Sequence, residues 1–463
     1  MSITRTENNA VAYALKNKCL NLFSLIGGMR NMATLEKIQI FREAAKEDPR
    51  TAVKILFYGR DARKGPGERA TFHQMATYLN PEFLAKNLVN LINLGYAKDV
   101  FRYFHIPSVV KEFVGILNAK DESVRKELLF KWIPRKGKNF KLLREELRVT
   151  NKELRKMIVK NSANTVERQM SKKEWNINYS EVPGGAMRKY RKAFKKHDSD
   201  GLQTWIDDKS SKASVSATYP HEITSLLCTE PELAQKLWEN LPALSSKEKP
   251  IVISDTSGSM YGLPMDVSVA LGIYCSEQLD GPFKDKVITF SADPEFHDLS
   301  VYEDLSSKYT YLDSHSNWGA NTDFEKTYKL ILNTAKFHNV LPENMPTMIV
   351  CISDMQFDEA TSKFDKGTWE HIPKESHHEL MKAEFERHGY KFPKLVYWNV
   401  RASSTQAQPV DDLTENTALI SGFNPAVIQP VLNGDSFNPM KIMYEAISHI
   451  DLDFSVFPIL GKA

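Results

Sequence analysis

The sequence predicts a multidomain chain, with an N-terminal all-α solenoid and a C-terminal α/β doubly wound domain. Three observations lead there. A length of 463 residues exceeds what one ordinary core organises. From Met1 to about Lys160, apolar residues recur at three- and four-residue spacings between Pro and Gly breaks, as in short helices joined by brief turns. After Pro250, short β-rich runs alternate with helical stretches, the pattern of a mostly parallel sheet covered on both faces. The expected domains are 1–245 and 249–463, separated by the linker "SSKEKP".

Taken in order, "TLEKIQIFREAAKE" aligns Leu35, Ile38, Phe41 and Ala45 in one apolar stripe. Asp48-Pro49 interrupts it, and "RTAVKILFYGRDAR" begins the next helix. "ERATFHQMATYLN" follows, then "PEFLAKNLVNLINLGY", a single helix closed by Gly95. "PSVVKEFVGILNAK" and "DESVRKELLFKWI" continue the series, with no repeat strict enough to give a period. Residues 161–220 mix helix with polar loop around Pro183-Gly184-Gly185 and a serine-rich run at 210–216, before "PHEITSLLCTEPELAQKLWENLPAL" restores helices. Strands are expected at 251–254, 286–290, 347–353 and 395–400. "PMDVSVALGIYCSEQL", "TDFEKTYKLILNTAKF" and "HHELMKAEFERHG" are the helices between them.

The composition, 42% apolar and 26% charged, is that of a soluble globular protein. No stretch approaches the roughly 18 apolar residues of a membrane span, and the N-terminus has no secretory look. Cys19, Cys228, Cys275 and Cys351 share no C-x-x-C spacing, which points to a reducing, cytoplasmic setting.

"PIVISDTSGSM" ends an apolar strand on Asp255, Ser257 and Ser259 with no basic residue in reach. In open parallel sheets ligand groups gather beyond the carboxyl ends of the strands. Hard oxygen donors of this kind suit Mg²⁺, with Mn²⁺ as the alternative ion. Two further oxygen-rich loops follow predicted strands: "NWGANTDF" offers Thr322 and Asp323, and "CISDMQF" offers Asp354. Helix capping is the competing reading of each loop alone.

"DTSGSM", "NTDF" and "SDMQF" together resemble the metal-ion-dependent adhesion site (MIDAS) of a von Willebrand factor A domain, whose fold is Rossmann-like. The resemblance implies a metal held by Asp255, Ser257, Ser259, Thr322 and Asp354, with a position left for an acidic side chain of a protein partner. "SDMQF" stands where the family more often has "TDG". A helical module joined to such a domain is similar to the TROVE proteins, the Ro 60-kDa autoantigen among them. The resemblance implies HEAT-like repeats and binding of small structured RNA or RNA ends. "LFYGRDARKGPGER" also resembles a segment of a related, uncharacterised family of plants and large viruses.

Charge divides the chain. Residues 1–196 hold 40 Lys and Arg against 19 Asp and Glu, whereas 197–463 hold 21 against 39. Such asymmetry lets one half attract a polyanion. In "GRDARKGPGERA", Arg60, Arg63, Lys64 and Arg69 surround Gly65 and Gly67, either to approach phosphates or to brace a helix–helix turn against Asp61 and Glu68. A basic lobe around 131–196 adds Arg135, Lys136 and Lys138, then Arg188, Lys189, Arg191, Lys192, Lys195 and Lys196 beside Tyr190 and Phe194.

The expected function is that of a non-catalytic RNA-binding ribonucleoprotein component, with no membrane partner. Its metal-bearing domain would recruit an acidic protein ligand. Ser257 and Ser259 have no histidine near in sequence, and His371, His377 and His378 form no metal motif. The alternative is a protein-interaction or assembly module without RNA.

Overall fold

The computed structural model describes residues 3–6, 11–119, 124–215, 217–244, 248–278, 283–290, 294–315, 324–356, 364–365, 368–369, 377–433 and 437–460. An N-terminal helical region precedes a six-stranded mixed sheet. The first helices are Lys18–Leu25, Thr34–Glu47, Pro49–Arg60 and Arg69–Met75. Asp48 starts the third by accepting from the Arg50 and Thr51 amides, with Pro49 in the first turn.

Two expectations about these helices need correction. In Thr34–Glu47 the buried residues are Lys37, Ile40, Phe41, Ala44 and Ala45, and Leu35 stands 80% exposed. On the inward face Lys37 donates to the half-buried Arg30 carbonyl and Gln74 Oε1, each at 3.1 Å. The single helix expected over "PEFLAKNLVNLINLGY" is two, Pro81–Lys86 and Leu88–Leu94. Asn87 sits at the break, where its side chain exchanges hydrogen bonds with the Asp453 backbone: Nδ2 to O at 3.0 Å and N to Oδ1 at 2.8 Å. A partner far along the chain ends the helix there, so local periodicity was blind to it.

The sheet strands are β1 (Pro250–Asp255), β2 (Lys286–Phe290), β3 (Glu295–Asp298), β4 (Met348–Ser353), β5 (Lys394–Asn399) and β6 (Thr417–Ser421). Their order is β6-β5-β4-β1-β2-β3, with every pair parallel except β2 with β3. The order therefore reverses between β1 and β4, which creates a crevice at their carboxyl ends.

β1, β4 and β6 are buried along their whole length, as strands covered on both faces must be. Alternate side chains feed two cores. Ile251, Ile253, Ile349, Cys351 and Leu419 join a hydrophobic network that runs without a break into the N-terminal helices. Val252, Val350, Ile352, Trp398 and Ile420 join residues 166–244 and helix Leu263–Gln278. Gly272 lets that helix lie close to β1, because a Cβ there would meet Ser254 Oγ at 2.1 Å.

The N-terminal region is therefore packed onto the sheet. A Cβ on Gly27 would stand 2.3 Å from the Ser421 carbonyl carbon. Asn424 Nδ2 donates to the Gly65 carbonyl at 2.7 Å. The C-terminal segment closes over the helices through Asn80 N to Pro458 O, 2.8 Å, and Leu460 N to Tyr78 O, 2.9 Å.

Candidate metal centre and basic surface

Ile-Ser-Asp closes β1 at 253–255 and recurs at 352–354, where β4 ends on the Ser. The strands pair Ile253 with Cys351 and Ser254 with Ile352, so the two tripeptides are one residue out of step. Asp255 consequently falls beside Ser353, whose Oγ donates to its Oδ2 at 2.5 Å. Oδ1 accepts the Ser257 amide at 2.9 Å, which turns the chain sharply and brings Ser257 Oγ within 3.2 Å of Ser259 Oγ.

Asp354 comes one residue past the end of β4 and is also buried. Its Oδ1 accepts the Gln356 amide at 3.1 Å, and Met355 between them adopts a left-handed φ of 64°. Burial, joined by the Asp354 charge, pushes the Asp255 carboxyl above the usual carboxylate range. Asp255 has no ion pair among the described residues; its partners are the Ser257 amide and the Ser353 hydroxyl.

These donors fit a hard cation. Asp255 and Asp354 lie on neighbouring strand ends at the crevice, with the Ser257 and Ser259 hydroxyls beside them and a cavity of about 350 Å³ above. Thr322 and Asp323 lie outside the described residues. Two features were not read from the sequence. The segment does have a basic residue in reach: Arg401, from the loop after β5, donates to the Ser259 carbonyl and lines the same cavity. Asn31 and Glu36 of the helical region line it too.

In the motif at 59–70, bracing accounts for the observed pairings. Arg60 is fully buried, and its Nε and Nη2 donate to Asp99 Oδ2 at 2.9 and 2.5 Å. Arg60 as a phosphate contact is therefore corrected: no solvent or ligand reaches it. Arg69 shares the same carboxylate at 2.6 Å, Glu68 pairs with Arg30 at 2.6 Å, and Asp61 accepts from His449 Nε2 at 2.9 Å. The glycines serve the same junction. Gly67 has φ 73°, and a Cβ on it would strike the Tyr219 hydroxyl at 2.2 Å. Arg63 is exposed and donates to the Asn93 carbonyl at 2.6 Å, and Lys64 is exposed beside it.

In the basic lobe, Arg135, Lys136 and Lys138 are exposed around the start of helix Lys138–Leu147. Helix Gly184–His197 presents Lys189, Lys192, Lys195 and Lys196 to solvent and buries Met187 and Phe194. Arg188 and Arg191 are corrected in part, because both turn inward. Arg188 binds Glu222 Oε1 at 2.6 Å, and Arg191 donates to the Arg188 carbonyl at 2.5 Å. Lys195 pairs with Glu230 at 3.3 Å. His371 lies outside the described residues, and no helix among them is long and apolar enough to cross a membrane.

Residues 6–126 and 115–249 match the model of a domain of unknown function, DUF2828, and residues 249–450 match that of a second, DUF7788. The two matches meet at residue 249, in the "SSKEKP" linker. The chain is also similar to uncharacterized protein L728 of Acanthamoeba polyphaga mimivirus. The two are 26% identical over 512 residues, which covers 96% of this chain and 87% of the relative.

Proposed function

The chain belongs to the DUF2828 family, and for this member we propose a non-catalytic RNA-binding ribonucleoprotein component with a divalent-metal site for recruiting an acidic protein ligand. The observation that carries the metal half is the pair of buried carboxylates, Asp255 and Asp354, at the carboxyl ends of adjacent strands where the strand order reverses. The order β3-β2-β1-β4-β5-β6 and the Ser257–Ser259 turn support the von Willebrand factor A likeness. Asp255, Ser257, Ser259 and Asp354 would hold Mg²⁺ or Mn²⁺, with Thr322 as the fifth donor. The ion would supply an electrostatic seat for a partner Asp or Glu, and Arg401 at the cavity edge would add a second grip on that carboxylate.

Binding rather than chemistry is favoured because Ser257 Oγ faces Ser259 Oγ, and no histidine among the described residues hydrogen-bonds either hydroxyl. The RNA half rests on the excess of 40 basic over 19 acidic residues in 1–196, with Lys136, Lys138, Lys189, Lys192 and Lys196 exposed. A second reading, an assembly module without RNA, is favoured by the internal pairing of Arg60, Arg69, Arg188 and Lys195 with carboxylates.

Affinity capture from cells, with Mg²⁺ and with EDTA, tests the recruiting role. A protein partner retained only with Mg²⁺, and lost from Asp255→Ala, is the expected outcome. Capture indifferent to both changes would refute it.

A further inference from the structure

Outside the metal centre, one surface brings cations and exposed rings together from separate parts of the chain. Tyr96 and Trp132 are 43% and 40% exposed, unusual for rings of this size on an otherwise well-packed helical region. Lys98 stands between them, its Nζ 5.5 Å from the Tyr96 ring centroid and 5.1 Å from that of Trp132. Lys189 arrives from helix Gly184–His197 and lies 4.9 Å from the half-buried Tyr190 ring. Partial burial depresses the Lys98 ammonium; the charges of Arg69 and Lys189 add to that effect, and the Asp99 carboxylate opposes it. The cations of three segments therefore crowd one seam.

Asp99 already joins Arg69 at 2.6 Å, whereas Lys98 and Lys189 make no ion pair among the described residues, and like charges held together are unfavourable unless an anion joins them. Exposed rings among them give an anion with flat faces something to stack on. A protein carboxylate would satisfy the charges and leave the rings idle. A phosphodiester chain with unpaired bases uses both.

We infer that the seam formed by Arg69, Tyr96, Lys98, Trp132, Lys189 and Tyr190 is a binding site for single-stranded RNA. A base stacks on Trp132 while Lys98 and Lys189 hold the flanking phosphates. The base displaces Lys98 from the ring face, and the ammonium moves to a phosphate. The site deepens the RNA reading above and rests on it. Of its residues, Tyr96 and Lys98 lie outside the basic runs that sequence alone pointed to.

Fluorescence anisotropy of the full chain with a labelled oligouridylate and with an RNA duplex of equal length tests the site. Trp132→Ala is expected to weaken the single strand roughly tenfold, to leave the duplex unchanged, and to be rescued by Trp132→Phe. Lys189→Glu is expected to weaken binding and to flatten its dependence on log salt by about one. It also decides the matter should Trp132→Ala fail to fold, because Lys189 is exposed and its replacement touches no core. Wild-type affinity in Lys189→Glu, or in a folded Trp132→Ala, overturns the site while the RNA reading stands. A wild-type protein that binds neither RNA overturns both.

Discussion

Arg60 and Asp99 meet at 2.5 Å with both side chains fully buried, and Arg69 reaches the same carboxylate from the rim at 2.6 Å. The Asp99 carboxyl is held well below its usual range. Burial alone would raise it, but the His73 imidazole, with Nε2 at 3.6 Å, and the Arg60 charge outweigh that effect. The pair ties the end of helix Pro49–Arg60 to the turn at 97–103.

Removing one member leaves the other charged and dry. Arg60→Ala is expected to cost about 3–5 kcal/mol, read as a lower urea midpoint at unchanged m-value. Arg60→Lys keeps the charge but loses the fork and should recover only part of that loss. A midpoint within error of wild type for Arg60→Ala would show that the pair contributes nothing.

The junction between the helical region and the sheet is a close-approach contact, so glycines there answer differently from glycines elsewhere. Gly27→Ala would drive a methyl to within 2.3 Å of the Ser421 carbonyl carbon, where only backbone can yield. Gly185 has open space around its Cβ position in helix Gly184–His197. Its change to Ala should be stabilising by roughly 0.5–1 kcal/mol. Thermal melts should thus move in opposite directions for the two variants, and a shared direction would contradict the packing described.

His221 lies at the same junction, stacked on Tyr219 at 5.7 Å and edge-on to Phe423 at 5.4 Å. Burial, together with the charges of Arg30 and Arg188, holds its imidazole down to about 3. In the unfolded chain it takes a proton near its ordinary value of 6.5, so between those values the unfolded state binds more protons. The stability due to neutral His221 is present above about pH 6.5 and drains as pH falls toward 3. Urea midpoints should drop between pH 7.5 and pH 5, and His221→Phe should show a smaller drop. An equal drop would assign the pH dependence to other groups.

The alternation of β-rich runs and helices made the sheet legible, because strands buried on both faces must be nearly continuous in apolar residues. β3 and β6 were not among the expected strands. "EFHD" forms a short edge strand with exposed residues, and "TALIS" follows a long polar loop. Asp255, Ser257 and Asp354 were legible because each closes or follows a strand. Their one-residue stagger was not, since register belongs to pairing between strands. Arg401 and Glu36 escaped notice for the same reason: they meet the site only in three dimensions. The charge runs overstated the basic face at Arg60, Arg188 and Arg191, because a count of cations is silent on the carboxylates and the backbone carbonyl that fold against them. Tyr96 and Lys98, outside the basic runs, were missed, and Trp132 was not singled out although it lies within the lobe around 131–196.

The central claim is that oxygens at the ends of β1 and β4 share one divalent ion. Titrating Mn²⁺ into the metal-stripped protein and following free Mn²⁺ by electron paramagnetic resonance tests it most directly. One site per chain is expected, displaced by excess Mg²⁺ and absent from Asp255→Asn and Asp354→Asn, with both variants still folded by circular dichroism. A wild-type chain that leaves all Mn²⁺ free, or an undiminished site in either variant, would contradict it.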